Sequence, residues 1–245
     1  MQEMSRTPPL LRADRAAAFA RVRGEFAVLA LSLALLLAWD ASGLDLALAG
    51  WFGTAKGFAL RDVPWLFYGF HEVPRLAAWG CVLLLLVSIW RPVGPIAKLD
   101  RAGRAWLVGT ILLSLVAVSL VKSSSATSCP WDLQQFGGSA SYVSHWVPGI
   151  RDGGGGRCFP AGHASAAFAW VAGWFAFRPH DRLVARAWLA AALVIGTVLG
   201  LAQQARGAHY MSHTMWTAWI CWAVACTADF VRSSMTLREK KIGTV

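Results

Sequence analysis

Residues 105–121 read Ala-Trp-Leu-Val-Gly-Thr-Ile-Leu-Leu-Ser-Leu-Val-Ala-Val-Ser-Leu-Val, an uncharged run that stops at Lys122. In a helix rising about 1.5 Å per residue, such a run crosses most of a hydrocarbon layer about 30 Å thick. Arg101 and Arg104 precede it, so both ends are charged and the middle is not. Working outward, the chain has five more blocks of the same kind, at 24–42, 73–90, 161–177, 187–205 and 212–231. The pattern predicts an all-α, polytopic membrane protein of six transmembrane helices. Composition agrees: 56% of the 245 residues are hydrophobic, 15% are charged and 14 are Trp, too apolar for an ordinary soluble domain.

Basic residues set the expected orientation. Arg6, Arg12, Arg15, Arg21 and Arg23 stand in the first tail, and Arg91, Lys98, Arg101 and Arg104 between the second and third blocks. Arg178, Arg182 and Arg186 lie between the fourth and fifth, and Arg232, Arg238, Lys240 and Lys241 in the last tail. That puts 16 of the 23 Lys and Arg on one side, which the positive-inside rule assigns to the cytoplasm. The expected organisation is a basic tail over 1–23, a membrane domain over 24–231 with an outer loop at 123–160, and a second tail over 232–245, both tails cytoplasmic. The net charge of +10 is then a topology signal. No basic stripe interleaved with aromatics points to nucleic acid. The arginines before Phe26–Trp39 also resemble a secretory signal, but Asp40 and Asp45 in the would-be cleavage region count against it.

Two stretches are neither span nor tail. Trp51–Glu72 is too apolar for a free loop and reads as a short interfacial helix. Ser123–Phe159 starts with three serines and nears its end with Gly153–Gly156, a flexible or tightly turning hinge, and its functional reading is a lid or part of a substrate cleft. Cys129 and Cys158 stand near its two ends and could pair in an oxidising compartment; Cys81, Cys221 and Cys226 fall within spans as packing.

Three span ends carry the groups suited to chemistry. Pro160-Ala161-Gly162-His163 opens the fourth block, and Gly207-Ala208-His209-Tyr210 precedes the sixth. Arg157 and Arg206 stand close to these turns, and Lys122 ends the third block on the same side. Arg206, His209 and His213 follow at i, i+3 and i+7, so a helix would bring them to one face. Ionisable groups gathered at one edge of a bilayer mark a functional site by default. His209 and His213 also have the i, i+4 spacing of metal ligands, with no clear third ligand. His71 and His145 read as interfacial or loop residues.

The order and spacing of these groups resemble the type 2 phosphatidic acid phosphatase (PAP2) superfamily of integral-membrane lipid phosphatases. That family carries K-x6-R-P, then P-S-G-H, then S-R-x5-H-x3-D. Here Lys122-x6-Cys129-Pro130 has Cys in place of the Arg, and Pro160-Ala161-Gly162-His163 has Ala in place of the Ser. In the third motif Ala202-Gln203 fills the Ser-Arg pair, His209 is retained, His213 stands where the family has Asp, and an arginine follows at Arg206. Arg157 is the natural substitute for the missing phosphate clamp, and Asp132 and Asp152 are outer-loop acids available to replace the missing Asp. The resemblance covers spans three to six.

The resemblance implies roles. His209 attacks phosphorus and forms a phosphohistidine; His163 protonates the departing oxygen and then activates water. His213 would accept from His209 to orient it. Lys122, Arg157, Arg206 and the backbone N–H groups near Gly162 neutralise the phosphoryl oxygens. No metal or cofactor is required, because fixed cations supply the charge. The implied protein is a bacterial inner-membrane phosphatase with its site at the periplasmic face. It acts on a lipid phosphate in the bilayer: lipid A phosphate, undecaprenyl pyrophosphate or phosphatidylglycerol phosphate. A phosphotransferase with the same intermediate and a non-catalytic lipid-binding or transport protein are the alternatives.

Overall fold

The computed structural model describes the backbone of residues 9–147 and 149–242, and the side chains of 20–147 and 149–236. The basic side chains of Arg6, Arg12, Arg15, Arg238, Lys240 and Lys241 lie outside the described residues. The chain is mostly helical: α1 Pro9–Ser42, α2 Leu44–Ala49, α3 Pro64–Phe67, α4 Val73–Ser88, α5 Arg101–Ser124, α6 Gly162–Phe168, α7 Ala172–Phe177, α8 Arg182–Ala205 and α9 Met211–Ile242. Among the described residues, four helical stretches are long and apolar enough to cross a membrane: Ala20–Ser42, Pro64–Ser88, Arg101–Ser124 and Arg182–Ala205.

The other two expected spans are helical but of a different character. Residues 162–177 form α6 and α7 joined by a 3-10 turn at Ala169–Val171, and most of this segment is buried. It packs against α5, α8 and α9. In α9, the polar Ser212, His213, Thr214 and Thr217 turn inward and are buried. An inward polar stripe lowers the average hydropathy of a helix without exposing it to lipid. The core runs through Leu107, Ile111, Phe168, Phe175, Phe177 and Cys221, between α5, α6–α7 and α9.

The stretch Trp51–Glu72 differs from the expected interfacial helix. It begins with a two-residue antiparallel hairpin, β1 Gly53–Thr54 against β2 Gly57–Phe58, and ends in the first turns of the second apolar helix. Pro64 sits in the first turn of α3, where its fixed φ suits a helix start. A π-turn at Tyr68–Glu72 then leads into α4. Pro74 explains the irregularity: it has no N–H to give to the Phe70 carbonyl four residues back. That carbonyl instead accepts from Gln203 Nε2 on α8, at 3.0 Å.

At the end of the bundle near the C-terminus of α7, Arg178 pairs with Glu25 of α1 and, at 2.6 Å, with Asp229 of α9. All three are largely buried, so the charges are matched where a lone one would be costly. This cluster ties α1, α7 and α9 at the end away from His163.

Candidate active site

The site forms where the C-terminal end of α5, the start of α6 and the α8–α9 turn meet. Two bonds stitch the second motif onto α9. The Ala161 N–H donates to the His213 carbonyl at 3.1 Å, and Thr217 Oγ1 donates to the Ala161 carbonyl at 3.0 Å. The helix opening at Gly162 therefore starts beside the first turns of α9. Lys122 lies against Gly162: a Cβ added there would stand 3.3 Å from Lys122 Cδ, so the glycine leaves the lysine its path.

The α8–α9 turn is held as firmly. Gly207 has φ +76, and a Cβ there would be 2.5 Å from the Phe58 ring, so both backbone shape and space require glycine. Ala208 N–H donates to the Gln203 carbonyl at 2.9 Å, and Trp131 N–H donates to the Gly207 carbonyl at 3.0 Å. Asp45 of α2 caps the following helix, accepting from Ser212 N–H at 3.0 Å and from the Ser212 hydroxyl. A carboxylate there answers both the unpaired N–H groups and the positive helix end.

These contacts bring His163 and His209 together, with ring centroids 6.2 Å apart. Neither the Lys122 nor the Arg157 side chain has an ion-pair or hydrogen-bond partner among the described residues. Arg157 is exposed, with a left-handed backbone (φ 56), and its N–H donates to the Ser125 carbonyl at 2.9 Å, just past Lys122. Arg206 is 4% exposed and partly committed: Nε donates to the Arg61 carbonyl, one terminal nitrogen to Gln203 Oε1, and the guanidinium lies over Phe67. Burial first, and then the Lys122 charge, hold His209 well below the ordinary imidazole value of 6.5. It is therefore neutral at pH 7, with a lone pair available.

His213 is buried with its ring 5.7 Å from that of His209, edge to face, and neither of its ring nitrogens has a hydrogen-bond partner. It makes no hydrogen bond to His209. Asp132 and Asp152 do not approach as replacements. Asp132 accepts from Cys129 N–H, and Asp152 accepts from Ser128 N–H, Ser128 Oγ and Gly154 N–H. Asp152 thereby orders the glycine stretch that read as a hinge. Cys129 and Cys158 are joined in a disulfide. Their sulfurs and a His209 ring nitrogen lie within 4.8 Å of one another, a spacing that would suit a metal were the two sulfurs not bonded to each other.

Sequence reasoning missed His71. Its ring lies over that of His163 with centroids 3.9 Å apart, and its Nδ1 is 2.8 Å from Glu72 Oε1, which neighbours Arg75. The contact joins two distant parts of the chain; the only local hint was the His71-Glu72-x2-Arg75 spacing on a helix. His145 also stands closer than expected, stacked on Phe159 and bonded to Asp40 at 3.2 Å, with its ring 5.9 Å from that of His213.

A cavity of about 300 Å³ adjoins His163. Lys122, His71 and Arg75 line it together with the apolar Val82, Leu115 and Trp170. A second, almost wholly apolar cavity of about 330 Å³ adjoins it between α4 and α8 and shares Pro74, Ala78, Ala166 and Trp170 with it. Charge beside apolar surface is the chemistry of an amphiphile's headgroup and chain.

No curated protein and no solved structure gives a significant match to this chain. Residues 104–233, more than half of it, match the PAP2 superfamily. The matched stretch runs from the first turn of α5 into α9 and contains Lys122, His163 and His209, and with it the chain belongs to the PAP2 superfamily.

Proposed function

We propose that this membrane protein removes a phosphoryl group from a lipid phosphate by way of a phosphohistidine on His209. Membership of the superfamily suggests phosphatase or phosphotransferase activity on lipid-type phosphates. The observation that carries the finer reading is the pair of imidazoles 6.2 Å apart beside the unpaired Lys122. A nucleophile about 3 Å from phosphorus and an acid about 2.8 Å from the leaving oxygen fit that separation.

In the first step a neutral ring nitrogen of His209 attacks phosphorus. The N–P bond forms as the P–O bond to the lipid breaks, and protonated His163 gives its proton to the departing oxygen. An incoming phosphate dianion supplies the negative charge that keeps the His163 imidazolium stable in a buried site. In the second step His163 takes a proton from water as the water oxygen attacks phosphorus. The N–P bond breaks, phosphate leaves and His209 is neutral again. Lys122, Arg157, Arg206 and the N–H groups near Gly162 balance the charge on the phosphoryl oxygens. A lipid hydroxyl in place of water makes the same chemistry a phosphotransfer.

The cavity beside His163 lies on the leaving-group side and suits the lipid. Basic residues concentrated at the opposite end of the spans support a bacterial inner-membrane protein with cytoplasmic tails and a periplasmic site. The test is phosphate release by the purified protein from lipid A phosphate, undecaprenyl pyrophosphate and phosphatidylglycerol phosphate, wild type against His209→Ala. Release that depends on His209 is the expected result. Equal release by both proteins overturns the histidine mechanism, and binding of these lipids without turnover leaves the lipid-binding alternative.

A further inference from the structure

We infer that the Cys129–Cys158 disulfide is the positioning group for the His209 imidazole, a reading that rests on the phosphohistidine mechanism above. A histidine that attacks from one ring nitrogen needs the other held as N–H against an acceptor. Around His209 the side-chain acceptors are committed or absent, and the backbone carbonyl beside its ring belongs to Cys158 itself. His213 offers it no hydrogen bond. Asp45 accepts from Ser212 and Trp39, and Asp40, whose Oδ2 accepts from His145, Trp146 and Trp216, makes no hydrogen bond to His209. Asp152 and Asp132 serve their own loop.

The side-chain atom that meets His209 Nδ1 is Cys158 Sγ, at 3.5 Å. A disulfide sulfur carries no hydrogen, so in this contact it accepts and Nδ1 bears the proton. The lone pair then resides on Nε2, at the other edge of the ring. Sulfur is a weak acceptor, but Cys158 is fully buried and His209 is 3% exposed, and burial strengthens a hydrogen bond that water does not contest.

The disulfide also fixes where that sulfur sits. Cys158 N–H donates to the Thr127 carbonyl at 2.9 Å, and the segment after Cys129 donates, through Trp131 N–H, to the Gly207 carbonyl of the His209 turn. Both halves of the bridge are thus anchored to backbone, one of them to the turn that carries His209. A covalent link does here what a carboxylate would otherwise do.

The test uses the full-length protein and phosphate release from the three lipid phosphates named above. Cys129→Ala/Cys158→Ala removes the sulfur; Cys129→Ala/Cys158→Asp replaces it with a carboxylate but leaves the loop equally unbridged. The expected result is a kcat about 10–100-fold lower in the alanine pair with KM little changed, and recovery of at least half of that loss, on a logarithmic scale, in the aspartate variant. Full kcat in the alanine pair overturns the inference, and so does equal loss in both variants, because loop closure alone would then account for it. Should the pairs not fold, ¹⁵N shifts of the wild-type imidazoles decide, with the His209 signal assigned through His209→Ala. A proton on Nδ1 supports the inference and a proton on Nε2 overturns it. Wild-type release no greater than that of His209→Ala would instead remove the underlying mechanism.

Discussion

The ring of His71, on the π-turn before α4, rests on the ring of His163, at the start of α6, with centroids 3.9 Å apart. The general acid of the proposed reaction therefore has an imidazole neighbour that is itself bound to Glu72. His163 Nδ1 is buried without a hydrogen-bond partner, so ring packing rather than a hydrogen bond holds its orientation. His71→Ala removes that support. It should lower kcat about 10-fold with a smaller change in KM, the scale typical of residues that hold a reacting group in place. His71→Phe keeps a ring against His163 and should restore part of the rate. Steady-state kinetics of the two variants check this, and an unchanged kcat in His71→Ala would remove His71 from the mechanism.

The buried neutral state of His209 has a pH signature. Its value is held below 6.5, so its nucleophilic form persists as pH falls through 6.5 and is lost only well below it. The acid limb of kcat/KM, which reports the free enzyme, should lie below pH 6.5. Lys122→Met removes the charge that, after burial, lowers His209 most and should move the limb toward 6.5. It should also lower kcat/KM about 100-fold by removing a phosphate clamp. A pH–rate profile of both proteins measures the two effects. A wild-type limb at or above 6.5 would contradict the burial argument.

How much of this was legible in the sequence differs by element. Residues 105–121 announced α5 because nothing in them could face water unpaired. The two His turns were legible because glycine precedes or opens each and a span follows. The boundary of the second span was not legible: Pro74 reads as a helix start, while the helix begins at Pro64 and passes through a π-turn that Gln203 of α8 supports. That support is a tertiary contact, and no local pattern encodes it. Gln203 occupies the place of a motif arginine. It joins the Phe70 carbonyl to Arg206. The contacts of His71 and of the Cys158 sulfur were hidden for the same reason, since spacing along a chain reports neighbours on one helix and not across the bundle.

Asp45 makes a stability prediction. It stands on α2, is 8% exposed, and accepts from Ser212 at the start of α9 and from Trp39 Nε1 at 2.8 Å. Asp45→Ala leaves the fully buried Ser212 donors and the indole N–H without an acceptor. The cost should be about 2–4 kcal/mol, from unmet buried donors and the loss of a helix cap. Asp45→Asn keeps one oxygen acceptor and should cost less than half as much. Thermal melting in detergent compares the three proteins. Equal melting temperatures for wild type and Asp45→Ala would show that α9 does not depend on this cap.

Ala78 tests how the lipid reaches the site. It lines both of the adjoining cavities and is only half-buried, so a larger side chain has space to occupy. Ala78→Phe fills apolar volume beside the Lys122–His163 end without touching either group's charge. If an acyl or prenyl chain lies there, KM for a long-chain lipid phosphate should rise about 10-fold, the equivalent of losing ~1.4 kcal/mol of binding. A small water-soluble ester such as para-nitrophenyl phosphate has no chain to place, so its kcat/KM should change less than twofold. The contrast between the two substrates is the measurement. A parallel loss on both would mean that the substitution disturbs the imidazoles themselves, and no loss on either would place the lipid chain elsewhere on the bundle.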